Sequence, residues 1–178
     1  MRVIAGSLKG RRLRTPAKDS LEVRPTSDMA REALFDLLQA WPKGAFLDLY
    51  GGTGAVAVEA WSRGYAPVTC VERSPGAAGL AAANAEGTGV VLLRRDVRQL
   101  KNEAFSDLAV LFADPPYADS PAAWELLKAR AAAWLAPGGV LVWETAERDA
   151  LPGDPGWELV DSRRYGAARF HFLRRAPR

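Results

Sequence analysis

The chain has 178 residues with a single cysteine and a single histidine, 48% of it is hydrophobic, and its net charge is +3. That length suits one domain with a layered core, and no apolar run approaches the roughly 20 residues of a membrane span. One cysteine excludes an internal disulfide and a cysteine-rich zinc site, and no signal-peptide-like segment opens the sequence, so a cytoplasmic protein with monomer as the default state is expected. The charge is unevenly spread: residues 1–31 carry +5 and residues 157–178 carry +4, which leaves the middle at −6. Basic ends around an acidic body suggest contact with a polyanion outside the core.

Residues 1–14 alternate apolar and basic side chains around Gly6 and Gly10, which predicts a short hairpin or arm. Residues 16–24 read as a loop. A helix then starts near Thr26 or Ser27, either of which can cap it, with Asp28 in its first turn. Ala30, Ala33, Leu34, Leu37 and Leu38 make its apolar stripe, and Pro42 and Gly44 end it. From there strands and helices alternate. Strands are expected at 45–50, 67–72, 90–94, 108–113 and 140–144, and helices at 55–63, 75–86 and 121–135. A short helix is expected between the third and fourth strands, and 157–162 with 169–173 read as a closing antiparallel pair. Such alternation predicts an α/β fold with a mostly parallel seven-stranded sheet covered on both faces. Residues 1–43 would form a basic arm and helix, and residues 44–178 the core of a single domain. Cys70, His171 and the tryptophans are expected to be packing residues.

Ligands of open α/β sheets bind at the carboxyl ends of the strands, and acidic residues gather there. Asp48-Leu49-Tyr50-Gly51-Gly52-Thr53-Gly54 follows the first strand, and Gly52 and Gly54 allow a tight turn into the next helix. Glu72, 24 residues beyond Asp48, ends the second strand and suits two ribose hydroxyls. Asp96 follows the third strand and suits an adenine amine, and Asp114 follows the fourth. Carboxylates on one edge repel one another unless a cationic, donor-rich ligand offsets them. S-adenosylmethionine carries a sulfonium, an ammonium, two ribose hydroxyls and an adenine amine. A dinucleotide would bring phosphates, which Asp48 beside the glycine loop disfavours. The tetrapeptide Asp114-Pro115-Pro116-Tyr117 adds a carboxylate, carbonyls left free by the prolines and a phenol for stacking. That set suits holding a planar ring by its exocyclic amine.

These motifs resemble those of class I methyltransferases, which implies a Rossmann-like fold and S-adenosylmethionine as methyl donor, with S-adenosylhomocysteine as product and no metal. Val3-Ile-Ala-Gly-Ser-Leu-Lys-Gly-Arg-Arg-Leu13 and Arg24-Pro-Thr-Ser-Asp-Met-Ala-Arg-Glu-Ala-Leu-Phe35 narrow the resemblance to the RsmD family over nearly the whole chain. The resemblance implies methylation of the N2 of one guanine, of the guanine-966 type, in 16S ribosomal RNA, within a small ribosomal subunit or an assembly intermediate. It also implies cofactor contacts from Asp48, Tyr50, Gly52, Gly54, Glu72, Arg73, Asp96, Val97 and Asp114. Tyr50 stands where many methyltransferases have glycine, and Gly51 where the family more often has alanine.

The chemistry asks for alignment and for removal of developing positive charge. Asp114 and the Pro115 carbonyl are expected to accept the two N–H bonds of the amine, aiming its lone pair at the methyl group. Pro116 keeps the turn rigid, and Tyr117 would stack on a base taken out of its helical context. Lys9, Arg11, Arg12 and Arg14 are the candidate phosphate contacts. Arg24, Thr26 and Arg31 would bind either the methionine carboxylate or an RNA phosphate. Rival readings are an adenine-N6 or cytosine-N4 methyltransferase, a protein-glutamine methyltransferase, a dehydrogenase, and a non-catalytic RNA-binding assembly module.

Overall fold

Every predicted strand forms, and all seven join one sheet in the order β3-β2-β1-β4-β5-β7-β6. The computed structural model describes residues 1–17, 27–116, 119–147, 149, 151 and 153–177. Its elements are α1 (Asp28–Leu37), β1 (Ala45–Leu49), α2 (Ala55–Ser62), β2 (Val68–Glu72), α3 (Pro75–Ala85), β3 (Val90–Arg94), β4 (Leu108–Ala113), α4 (Ser120–Trp134), β5 (Leu135–Ala146), β6 (Trp157–Tyr165) and β7 (Ala168–Arg175). Strands β1 to β5 are parallel, whereas β7 runs antiparallel to β5 and to β6. The strand order reverses between β1 and β4, which opens a crevice at their carboxyl ends. No described helix is long and apolar enough to cross a membrane.

Side chains alternate across each strand, so the two sheet faces build separate cores. Phe46, Cys70, Phe112, Val142 and Phe170 pack against α1 and α2 through Leu34, Phe35, Val56 and Ala60. Leu47, Val71, Leu111, Leu141 and Trp143 pack on the other face against Trp124, Leu127 and Trp134 of α4. The Trp124 and Trp143 rings meet edge to face at 5.3 Å, an arrangement their quadrupoles favour. Cys70 and His171 are buried. His171 lies between the hydroxyls of Thr145 (3.0 Å) and Ser162 (3.3 Å), and burial pushes its imidazole down to about 4.

Local chemistry sets the boundaries. Ser27 caps α1 by accepting from the Ala30 N–H, and Ser74 caps α3, whose first residue is Pro75. The fifth strand differs from its expected 140–144. Backbone pairing to β4 reaches back to Leu135, but the register shifts before Val140 and Gly138 adopts a φ of 79°, so the expected break at Pro137-Gly138-Gly139 takes the form of a bulge inside a longer strand. The arm, pinned by a bridge between Arg2 and Arg12, packs Val3 and Leu13 on Ala55 and Val58 of α2.

Candidate functional site

A cavity of about 980 Å³ opens at the crevice between β1 and β4. Asp48, Glu72, Asp96 and Asp114 all line it. The fold thus brings together the acidic groups that lie far apart in sequence. Asp48 and Glu72 sit on even-numbered, like-facing positions of β1 and β2, on the α1–α2 side.

The loop after β1 is shaped by these carboxylates. Asp48 accepts from the Ala57 N–H at 3.1 Å, and Glu72 accepts from the Gly52 and Ser74 N–H groups at 2.8 and 2.7 Å. Gly52 and Gly54 adopt φ of 54° and 72°, in the left-handed region. Tyr50 also lies there, at φ 62°, which explains why glycine serves well at that position in related loops. Burial, followed by the Asp96 charge, pushes the Tyr50 phenol up to about 12. A Cβ on Gly51 would fall 2.2 Å from Cys70 Sγ. The cysteine of β2 therefore occupies the space that an alanine would need.

Asp96 caps the 3-10 turn that follows β3. It accepts from the Arg98 backbone at 2.8 Å and from its guanidinium at 2.6 Å, and these bonds hold its carboxyl down at about 2. Arg73 approaches the same carboxylate at 3.7 Å, and Val97 is buried beneath. Asp96 thus remains ionised at the rim.

Asp114 behaves oppositely. Burial raises its carboxyl to about 7. Pro115 is buried beside it, while the Pro116 carbonyl accepts from the Asp119 N–H at 2.8 Å. Among the described residues no N–H donates to the Pro115 carbonyl, and Pro115 lines the cavity. Tyr117, Arg24 and Thr26 lie outside the described residues.

One expected contact is corrected. Arg31 is fully buried and pairs with Asp28 at 3.0 Å and with Glu59 at 3.5 Å. Glu59 also accepts from the Ile4 and Ala5 N–H groups and from Arg63. Arg31 therefore ties α1 to α2 and the arm, and it presents no charge to RNA. Helical periodicity placed Arg31 off the apolar stripe; its buried anion partner lies on another helix and was invisible to that pattern. Among the arm cations, Lys9, Arg12 and Arg14 are exposed, while Arg11 spends one donor on the Glu86 carbonyl at 2.8 Å. The arm tip packs at Ser62, the far end of α2, whereas the Arg14 backbone bonds Asn84, which in turn donates to Thr53 beside the cavity. Arg14 is consequently nearer the crevice than Lys9.

Two groups at the cavity were not singled out from sequence. Arg95 lines the rim and is exposed. Glu144 lines the inner wall at 5% exposure, and its Oε2 is buried with no partner among the described residues. Its carboxyl is pushed well up by burial, then by the charges of Asp114 and Asp48. A sequence signal existed: Val-Leu-Val-Trp-Glu144 repeats the apolar-strand-then-Glu pattern of Val-Thr-Cys-Val-Glu72.

Known proteins resemble the chain over nearly its whole length. The family model described as "Conserved hypothetical protein 95" matches residues 1–174. A ribosomal RNA small subunit methyltransferase D of Escherichia coli is 29% identical over 98% of this chain and 90% of its own length. The counterpart of the same name in Haemophilus influenzae is 27% identical over 96% of this chain and 91% of its own. A solved structure of a hypothetical Thermus thermophilus protein, 30% identical, superposes with a TM-score of 0.82 over 97% of this chain and 98% of that one.

Proposed function

The chain belongs to the RsmD family of ribosomal RNA methyltransferases, and from that premise we propose that it transfers a methyl group to the N2 of one guanine, of the guanine-966 type, in 16S ribosomal RNA. The observation that carries this reading is Asp114: a partly buried carboxylate beside a free proline carbonyl, at the junction of a carboxylate-lined cavity, with no protein donor among the described residues. A pair of acceptors so placed calls for an N–H₂ group.

The residues present fit S-adenosylmethionine. Burial and the charges of Asp114 and Glu72 push the Asp48 carboxyl well up, and a cation nearby would relieve that strain. Glu72 would hold the ribose hydroxyls, Asp96 and Val97 the adenine, and the Tyr50–Gly54 loop the amino-acid end. When bound, S-adenosylmethionine supplies an electrophilic methyl group on a sulfonium. The protein's own part is alignment. Asp114 and the Pro115 carbonyl accept the two amine protons, which fixes the nitrogen lone pair along the line of displacement. Asp114 then offsets the positive charge that builds on nitrogen and can take the released proton at its carboxylate oxygen. Tyr117 would stack on the flipped base, and Lys9, Arg12 and Arg14 would hold phosphates in the ribosomal subunit or its precursor.

The test is methyl transfer from labelled donor to small ribosomal subunits and 16S RNA taken from a strain lacking the protein. Label on a single guanine N2 is expected. Label on an adenine N6 or cytosine N4, or none at all, would overturn the reading.

A further inference from the structure

The wall of the cavity opposite the cofactor loop holds a second carboxylate that the reading above leaves without a role. Ala113 of β4 pairs with Trp143 of β5, so Asp114 and Glu144 stand one step further along two adjacent parallel strands. Such strands run about 4.8 Å apart. Phe112 and Val142 pack in the same core on the α1–α2 face, and pleating places Glu144 on that face too. Glu144 lines the cavity, is almost wholly buried, and its Oε2 finds no donor among the described residues. A buried acceptor without a donor is costly, and a buried anion beside another anion costs more. Groups of this kind persist where a ligand supplies the missing donors.

The three amine-bearing bases differ in what lies next to the amine. Guanine carries N1–H beside its N2 amine and so presents an unbroken row of N–H donors. Adenine N1 and cytosine N3, next to their amines, are bare acceptors. A carboxylate beside Asp114 welcomes the first arrangement, whose added N–H donor favours the ionised form of Glu144 against its burial, and repels the lone pair of the other two.

We propose that Glu144 is the specificity-determining residue of this site: its carboxylate accepts the guanine N1–H while Asp114 and the Pro115 carbonyl accept the exocyclic amine. The proposal rests on the reading of the protein as a guanine-N2 methyltransferase and explains how one base is chosen. It also accounts for the pairing of two carboxylates on neighbouring strands, since guanine's three N–H groups satisfy both at once.

The experiment compares guanine with 2-aminopurine at the modified position of a synthetic ribosomal RNA fragment. 2-Aminopurine keeps the amine on C2 but has a bare N1. The wild-type protein is expected to favour guanine by about 100-fold or more in kcat/KM, as sites built around one hydrogen bond do. Glu144→Gln offers an amide that can donate to a bare N1, so the preference is expected to shrink by about tenfold or more. The missing O6 of 2-aminopurine affects both proteins alike and cancels in the ratio of ratios. Equal wild-type rates on the two bases would overturn the proposal whether or not the variant folds. An unchanged preference in a Glu144→Gln protein that still binds S-adenosylmethionine would do so as well. Either result, with guanine still methylated, leaves the N2-methyltransferase reading standing; failure of the wild type to methylate guanine would sink both.

Discussion

The two halves of the crevice use carboxylates in opposite ways. On the β1–β3 side each acidic group already holds donors from the protein: Asp48 from Ala57, Glu72 from Gly52 and Ser74, and Asp96 from Arg98. On the β4–β5 side Asp114 and Glu144 hold none among the described residues, and burial raises both carboxyls. The first half is a cradle whose shape the chain sets for itself. On the proposed reading, a donor-bearing ligand completes the second. A transferase benefits from this division, because the group that must align a nucleophile should spend its hydrogen bonds on the substrate.

Substitution at the incomplete half should have the largest effect. Asp114→Ala is expected to lower methyl transfer about 10²–10⁴-fold while leaving S-adenosylmethionine affinity nearly unchanged, measured by single-turnover assay and equilibrium titration. Equal losses in both would blur the division between halves. The acidity of Asp114 gives the next effect. A protonated carboxyl has no negative charge to offset the one building on nitrogen and cannot take its proton, and burial raises this group to about 7. Turnover should therefore rise with pH, with activity at pH 6 about tenfold below the plateau, and a pH–rate profile checks the sign. A flat profile from pH 5 to 8 would mean that ligands lower this value before chemistry begins.

In the preassembled half, Glu72→Ala leaves the Gly52 and Ser74 N–H groups without their acceptor. Cofactor affinity should fall about tenfold, with about 1–3 kcal/mol of stability lost and kcat at saturating cofactor preserved; titration and thermal melts read both. The loop itself is sharpened by Gly51→Ala, expected to cost about 1–3 kcal/mol by overpacking, because a Cβ there meets Cys70 Sγ. The cost should shrink in the Cys70→Ala background, and additive melting shifts would show that the two sites do not share that space. Smallest is Arg95→Ala at the exposed rim, where RNA affinity should fall only a few-fold and the salt dependence of binding lose about one unit of slope.

Much of the fold was readable because its signals are local. Apolar runs of five or six residues, Ser74 before Pro75, and the Gly52–Gly54 turn each act over a few positions, and the elements they predict form. The strand ends were also readable, since an acidic residue after an apolar run is visible without knowing its neighbours. Where reading failed, the deciding partner was distant in sequence. Arg31 looks like a solvent-facing cation until Glu59 of α2 and the arm backbone close around it. β5 extends back through two glycines because β4 offers it backbone partners from Leu108 onward.

The sequence by itself determined the α/β alternation, the glycine loop, the acidic strand ends and the Asp-Pro-Pro-Tyr motif, because each follows from backbone preference or side-chain type at short range. Only the tertiary structure decided which of those acids receive donors from the protein and which hold none among the described residues. It alone set Glu144 beside Asp114, filled the space behind Gly51 with Cys70, and withdrew Arg31 from the surface. The physical reason is that burial and pairing are properties of neighbours, and neighbours across a sheet are chosen by strand order, which no single segment encodes.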